Sequence, residues 1–153
     1  MDLTNSDFIA IGSALVAGLS ALYARWAVKA SKHQNEISLH AERLNVYKGV
    51  TIFGSKLAAN GPSIQDADVW KFHEWVQLSE FYYNTAIHKR LDAAFTQALA
   101  MLAKSDEWKL AKEQGSSNAK EISDERHKIH RALRDESFSI SDAMKENLRL
   151  AKA

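Results

Sequence analysis

The sequence predicts an all-α protein, in which one N-terminal transmembrane helix continues into a cytosolic helical bundle. An unbroken apolar segment lies near the N-terminus, and the 153 residues hold one proline and six glycines. Beyond residue 30, apolar positions recur every three to four residues, which is the period of a helix. Cysteine is absent, which excludes a disulfide scaffold, a thiolate zinc site and a cysteine nucleophile.

The apolar segment covers residues 8–28 and carries a single charged side chain, Arg25. As a helix it would be about 31 Å long, close to the hydrocarbon thickness of a bilayer. Tyr23 and Trp26 lie near one end, where interfacial aromatic residues are common. We therefore expect a membrane anchor over residues 1–30, with a signal peptide or a buried core helix as the alternatives.

Charges on either side of the segment predict its orientation. Asp2 and Asp7 precede it, whereas Arg25, Lys29 and Lys32 follow one another at its other end. Because basic residues favour the cytoplasmic side, we expect a single pass through the inner (cytoplasmic) membrane with the N-terminus outside. Residues 31–153 would then form a cytoplasmic helical domain.

Small residues also recur at every fourth position of the predicted anchor, in two rows. The rows are Ala10, Ala14 and Gly18, and Ser13, Ala17 and Ala21. Such rows let transmembrane helices approach closely, so a homo-oligomer within the lipid bilayer is expected.

The first helix is predicted to run from Asp7 to Asn60, because the clearest turn signal in the chain stands at residues 60–63. A second helix is predicted over residues 67–81 and a third from an N-cap at Thr85 to about Lys112. After a loop at residues 115–118, a fourth helix follows.

The last part of the chain is predicted to form a separate short helix. Ser139 or Ser141 would cap it, and Met144, Leu148 and Leu150 would be its apolar positions.

No motif of a known enzyme class is present. The sequence has no glycine-rich phosphate loop, no zinc-binding His-Glu-x-x-His and no nucleophile elbow. His127 and His130 could share a helix face, but no third metal ligand is near them in the sequence. We therefore expect neither an enzyme nor a metal or cofactor site.

A row of cations on the fourth helix lacks acidic neighbours at helical spacing. Arg126, His130 and Arg134 follow one another every four residues, and Arg126 falls within an apolar seam. A buried cation needs a partner, which could be a carboxylate of another helix, such as Glu80 or Asp92. The other possibility is an anionic ligand, because guanidinium groups match the geometry of phosphate.

A second basic group opens the third helix, next to aromatic residues. It consists of His88, Lys89 and Arg90, and the nearby aromatic side chains include Trp75 and Tyr82. Aromatic faces and cations are what bases and phosphates require, although an aromatic core with a solvated rim would give the same pattern. The net charge of +1 argues against general DNA or RNA binding.

The layout resembles a widespread group of bacterial helical proteins with one N-terminal anchor. The resemblance rests on the anchor with its basic exit, the segment at residues 42–47 and the segment at residues 79–92. The chain also resembles, in layout alone, the membrane effector of type III CRISPR systems that binds cyclic tetra-adenylate. This second resemblance implies an oligomer, a cyclic nucleotide ligand and disruption of the membrane in antiviral defence.

The function expected from these observations is that of a membrane-anchored, oligomeric sensor or effector that binds an anionic ligand, with a cyclic oligoadenylate as the candidate. The alternatives are a scaffold that holds a protein partner through its tryptophan-rich surface and a pore former that needs no ligand.

Overall fold

A computed structural model describes residues 5–148, with side chains from residue 12 onward. It contains four α-helices and, within those residues, no strand, which confirms the all-α prediction. The helices are α1 (Asn5–Asn60), α2 (Asp66–Tyr82), α3 (Thr85–Glu113) and α4 (Ala119–Leu148), with a 3-10 turn at Gly61–Ser63. Contacts divide the chain into two units, Met1–Leu39 and His40–Ala153. The boundary at residue 30 was predicted as the end of a membrane anchor, and it stays a prediction.

The first unit is helical, and its described side chains from residue 12 to residue 39 are all exposed. Within the part of the chain that the structure describes, no helix combines the length and the hydropathy that crossing a bilayer requires. The side chains at residues 8–11, the first four positions of the apolar segment, lie outside that part, as do those of Asp2 and Asp7.

The second unit is an antiparallel four-helix bundle, formed by the C-terminal part of α1 together with α2, α3 and α4. Phe53 of α1 stacks on Phe72 of α2, with ring centroids 4.0 Å apart. His73 of α2 stacks on Phe95 of α3 at 4.3 Å, and each helix packs against the next in the chain.

The bundle closes where α4 meets α1. An ideal Cβ placed on Gly54 of α1 would lie 3.5 Å from Cβ of Ser137. The core consists of the apolar faces of all four helices, and among its fully buried side chains are Leu57, Val76, Leu91 and Leu133.

Local sequence explains where most of the helices begin and end. Gly61 adopts a positive φ of 57°, which favours glycine, and Pro62 has no N–H with which to continue α1. Asn84 caps α3, since its side chain accepts a hydrogen bond from the Ile87 N–H at 2.9 Å. The predicted cap at Thr85 was therefore wrong by one residue.

The predicted short last helix was also wrong, because α4 is unbroken from Ala119 to Leu148. Ser137 lies inside α4 and donates its hydroxyl to the Leu133 carbonyl at 2.8 Å, which is how serine is accommodated within a helix. Ile140 and Met144 are fully buried and continue the core face past Ser139 and Ser141. Leu148, the last residue of α4, is partly buried, and Leu150 lies outside the described residues.

Candidate anion-binding site

Arg126 is a cation on the core face of α4. Only 6% of it is exposed, because it lies at helical spacing from the buried residues His130 and Leu133. The apolar seam predicts partial burial of Arg126, and the structure buries it almost completely.

Among the described residues, the guanidinium group of Arg126 has an aromatic neighbour but forms no ion pair with a carboxylate. Its Cζ atom lies 4.2 Å from the ring centroid of Trp108 on α3, at the distance of a cation–π contact. Its Nε atom is buried and has no hydrogen-bond partner in the described part of the chain. Burial lowers the pKa of Arg126 from its ordinary value. Neither Glu80 nor Asp92, the predicted intramolecular partners, bonds to it.

Two lysines of α3 add positive charge near Arg126. Lys112 Nζ lies 5.1 Å from the centroid of the same indole ring. Lys109 donates a hydrogen bond to Asp106 at 2.9 Å; this bond raises the pKa of Lys109, while the charge of Arg126 acts to lower it. We use "Arg126 site" for Arg126, Trp108 and Lys112, a group with two cations and no carboxylate.

His130 lies one turn after Arg126 and is also buried. Its Nε2 atom is 2.8 Å from the Leu57 carbonyl oxygen in the last turn of α1, where helix carbonyls lack main-chain donors. His130 therefore links α4 to the end of α1, next to the Arg126 site. Arg134, the third member of the predicted row, instead bonds to its neighbour Asp135 at 2.8 Å.

In the second predicted basic group (His88, Lys89 and Arg90), two of the three side chains form hydrogen bonds within the bundle. Arg90 donates to Glu136 and to Ser139, both at 2.8 Å, and the bond to Glu136 raises the pKa of Arg90. His88 shares a hydrogen bond of 3.0 Å with Ser79, whereas Lys89 is exposed.

The structure does not bring this second group to Arg126. Arg90 precedes Trp108, the neighbour of Arg126, by about 27 Å of helix. The two basic groups therefore lie near opposite ends of the α3–α4 pair within one chain, and ligand binding by residues of both groups stays a prediction.

Trp75 and Tyr82, the predicted stacking residues, belong to the packing between α1 and α2. The Trp75 indole lies directly on Gly49, and the Tyr82 carbonyl accepts a hydrogen bond from Arg43 Nε at 2.9 Å. The aromatic residue that the sequence analysis missed is Trp108. Because α3 and α4 form a hairpin around residues 115–118, positions at similar distances from the loop face each other, and Trp108 and Arg126 are such a pair.

The fold and the site together define a helical-bundle protein with a buried cation stacked on an indole. The chain matches no family model, no curated protein and no solved structure. Among the described residues, no group of three or more histidine or acidic side chains could hold a metal ion.

Proposed function

We propose that this protein is a membrane-tethered sensor or effector whose helical bundle binds an anionic ligand at the Arg126 site. The observation that carries the proposal is the Nε atom of Arg126, which is buried and has no hydrogen-bond partner in the described residues. A buried polar group left unsatisfied costs about 1–3 kcal/mol, and more when it is charged. An oxyanion that accepted the Nε–H would remove that cost, and because Nε is buried, its binding would require the side chains around Arg126 to move.

The arrangement around Arg126 favours a phosphate-like ligand. The Cζ atom of Arg126 lies 4.2 Å from the centroid of the Trp108 ring, and a guanidinium group can donate two N–H groups side by side to two phosphate oxygens. Lys112 offers a second positive charge within the same group. A cyclic oligoadenylate carries such phosphates and remains the candidate ligand, on the resemblance to the type III CRISPR effector.

The tether is the second part of the proposal. Between residues 12 and 28, seven large apolar side chains are exposed, each by more than half of its surface; they are Leu15, Val16, Leu19, Leu22, Tyr23, Trp26 and Val28. Contiguous apolar surface of this kind marks a binding face, and lipid is the partner that would cover it on several sides. The basic residues Arg25, Lys29 and Lys32 would then favour anionic lipid headgroups on the cytoplasmic side.

The position of the Arg126 site supports a role in signalling to the membrane. His130, one turn away on α4, bonds to the last turn of α1, and α1 is the helix that begins at Asn5. A ligand that prefers one packing of α4 against α1 would shift the population of that packing. The proposed outcome is a change in the membrane during antiviral defence.

Ligand binding can be tested on the full-length chain reconstituted in nanodiscs, by calorimetry with cyclic tetra-adenylate and, separately, with inorganic phosphate. Arg126→Met should weaken binding about 10- to 100-fold, as expected for the loss of hydrogen bonds to a charged group. Arg131→Met is the matched control, since Arg131 is an exposed cation of the same helix, and it should bind as the wild type does.

A third variant separates the two basic groups. Arg90→Met removes a cation that the structure places far from Arg126, so it should leave binding unchanged. Absence of heat with both probes, or equal losses in the Arg126 and Arg131 variants, would refute the proposed site.

One observation favours the alternative of a scaffold that binds a protein partner. Trp70 of α2 is 55% exposed and packs edge-on against Phe95 at 5.8 Å, while Phe81 at the end of α2 is 76% exposed. Exposed aromatic side chains are common at protein interfaces. Under this alternative, Trp70→Ala would release a co-purifying polypeptide, and Arg126→Met would not.

A further inference from the structure

Trp108 is the neighbour of Arg126 that lies nearer to solvent. Its side chain is partly exposed, whereas Arg126 is only 6% exposed, and its ring centroid lies 4.2 Å from Arg126 Cζ. Because Arg126 Nε is buried, an anion can reach it only if a side chain that covers it moves. On this side of the guanidinium group, the covering side chain is the indole.

The indole of Trp108 is held less firmly than the neighbours of Arg126 in the core. Among the described residues no hydrogen bond holds it, and its cation–π contacts are with Arg126 and with Lys112, whose Nζ lies 5.1 Å from the ring centroid. On the core side, by contrast, the buried His130 bonds to the Leu57 carbonyl at 2.8 Å. Movement of Trp108 therefore exposes Arg126 with a smaller loss of contacts than movement of His130.

The indole is also an electrostatic partner of both cations. The face of an aromatic ring carries partial negative charge, so in the ligand-free protein it attracts Arg126 and Lys112. A phosphate group carries full negative charge and accepts hydrogen bonds from a guanidinium group. It is therefore the stronger partner, and a phosphate that displaces the ring gains both cations at once.

We infer that Trp108 is the gate of the Arg126 site: its indole covers Arg126 in the ligand-free protein and moves away when an anion with the chemistry of phosphate binds. The inference rests on the proposed function, because it concerns access to the same site. A stacking residue would have the opposite effect, since it would stay in contact with the ligand and strengthen binding. Removing the indole therefore separates the two roles by the direction of the change.

Access to Arg126 can be measured without a ligand. The full-length chain in nanodiscs would be treated with phenylglyoxal, which modifies arginine side chains, and the modified residues identified by mass spectrometry. Trp108→Leu should raise the rate of Arg126 modification about 2- to 30-fold, because loss of the cation–π contact raises the accessible fraction by that factor. Arg131, an exposed arginine of the same helix, is the internal reference, and its rate should not change.

Two further variants test for a general loosening of the bundle. Trp70→Leu removes an indole that is 55% exposed on α2, and Arg126 should then react at the wild-type rate. Trp108→Phe keeps an aromatic face with a weaker attraction for cations, so its rate should lie between those of the wild type and Trp108→Leu. If Trp108→Leu leaves the Arg126 rate unchanged, or if Trp70→Leu raises it equally, Trp108 is not the gate.

Calorimetry with inorganic phosphate gives the second readout. Trp108→Leu should bind phosphate about 2- to 30-fold more tightly than the wild type, because the anion no longer competes with the indole. Weaker binding in this variant would show that the indole supports the ligand, which overturns the inference and leaves the proposed function intact. If Arg126 becomes more reactive in Trp108→Leu, yet neither phosphate nor cyclic tetra-adenylate binds to any variant, the gate stands and the proposed function fails.

Discussion

Replacing Arg126 with methionine is expected to stabilise the ligand-free protein. Methionine keeps the unbranched stem of arginine and packs adaptably in irregular spaces, but it removes the buried charge. The substitution would therefore eliminate an unsatisfied donor rather than break a bonded pair. A buried charge without a partner is destabilising, so an apolar group of similar shape in its place is expected to stabilise the protein.

The expected size of the effect follows from two opposing contributions. Relief of the unpartnered Nε is worth about 1–3 kcal/mol, and loss of the contact with Trp108, at 4.2 Å, costs about 0.5–2 kcal/mol. The net change is an increase of about 1 kcal/mol in the free energy of unfolding. For a chain of this size, that corresponds to a rise of about 3–5 °C in Tm.

Arg43→Met is the matched comparison, because Arg43 is a partly buried arginine whose Nε does have an acceptor, the Tyr82 carbonyl. It should lower the free energy of unfolding by about 1–3 kcal/mol. Urea titration of both variants in detergent, followed by tryptophan fluorescence, measures the two changes. If Arg126→Met lowers stability as much as Arg43→Met does, Arg126 is a structural residue and the reasoning from its unsatisfied donor fails.

Three further predictions concern the bundle itself. Gly49→Ala should lower the free energy of unfolding by about 1–2 kcal/mol in urea titration, because overpacking against Trp75 outweighs the gain in helix propensity. Gly54→Ala is the control: a Cβ there would make ordinary contacts, so it should not lower the free energy of unfolding. Equal effects of the two substitutions would contradict the packing of α1 on α2. Asn84→Ala should cost about 0.5–2 kcal/mol in the same assay through loss of the α3 cap, and no loss would show that the cap is unimportant. Burial raises the pKa of Tyr83 to about 12, so the stability that the neutral phenol contributes is complete below pH 10 and is lost as the pH rises from 10 to 12. In Tyr83→Phe, the free energy of unfolding measured between pH 9 and pH 12 should lack this pH-dependent loss. A loss equal to that of the wild type would show that it does not come from Tyr83.

Helix positions were largely predictable from the sequence because their signals are local. The turn at Gly61 and Pro62, the apolar periodicity and the loop at residues 115–118 each act within a few residues. The errors occurred where packing outweighs local preference. Ser139 and Ser141 are typical cap residues, but α4 continues through them because Ile140 and Met144 remain in the core.

The site was only partly predictable, since its contacts join distant positions. Arg126 could be identified from its place in an apolar seam, whereas a search of neighbours within one turn could not find Glu136 as the partner of Arg90. Trp108 was accessible in principle, because pairing α3 with α4 about the loop places it opposite Arg126. Whether the Nε atom of Arg126 finds a hydrogen-bond acceptor depends on every surrounding side chain, so only the folded structure shows that it has none among the described residues.

The order of helices also determines when the bundle can form during synthesis. Every helix packs against its neighbour in the chain, except that α1 must also meet α4, through contacts such as His130 with Leu57. Roughly 90 residues separate the end of α1 from the end of α4, which a ribosome makes in about 5–20 s. During that interval the core face of α1 lacks its last partner, so the bundle of a newly made chain stays open on one side until α4 emerges. The Arg126 site, built on the α3–α4 hairpin, is accordingly among the last parts of the protein to form.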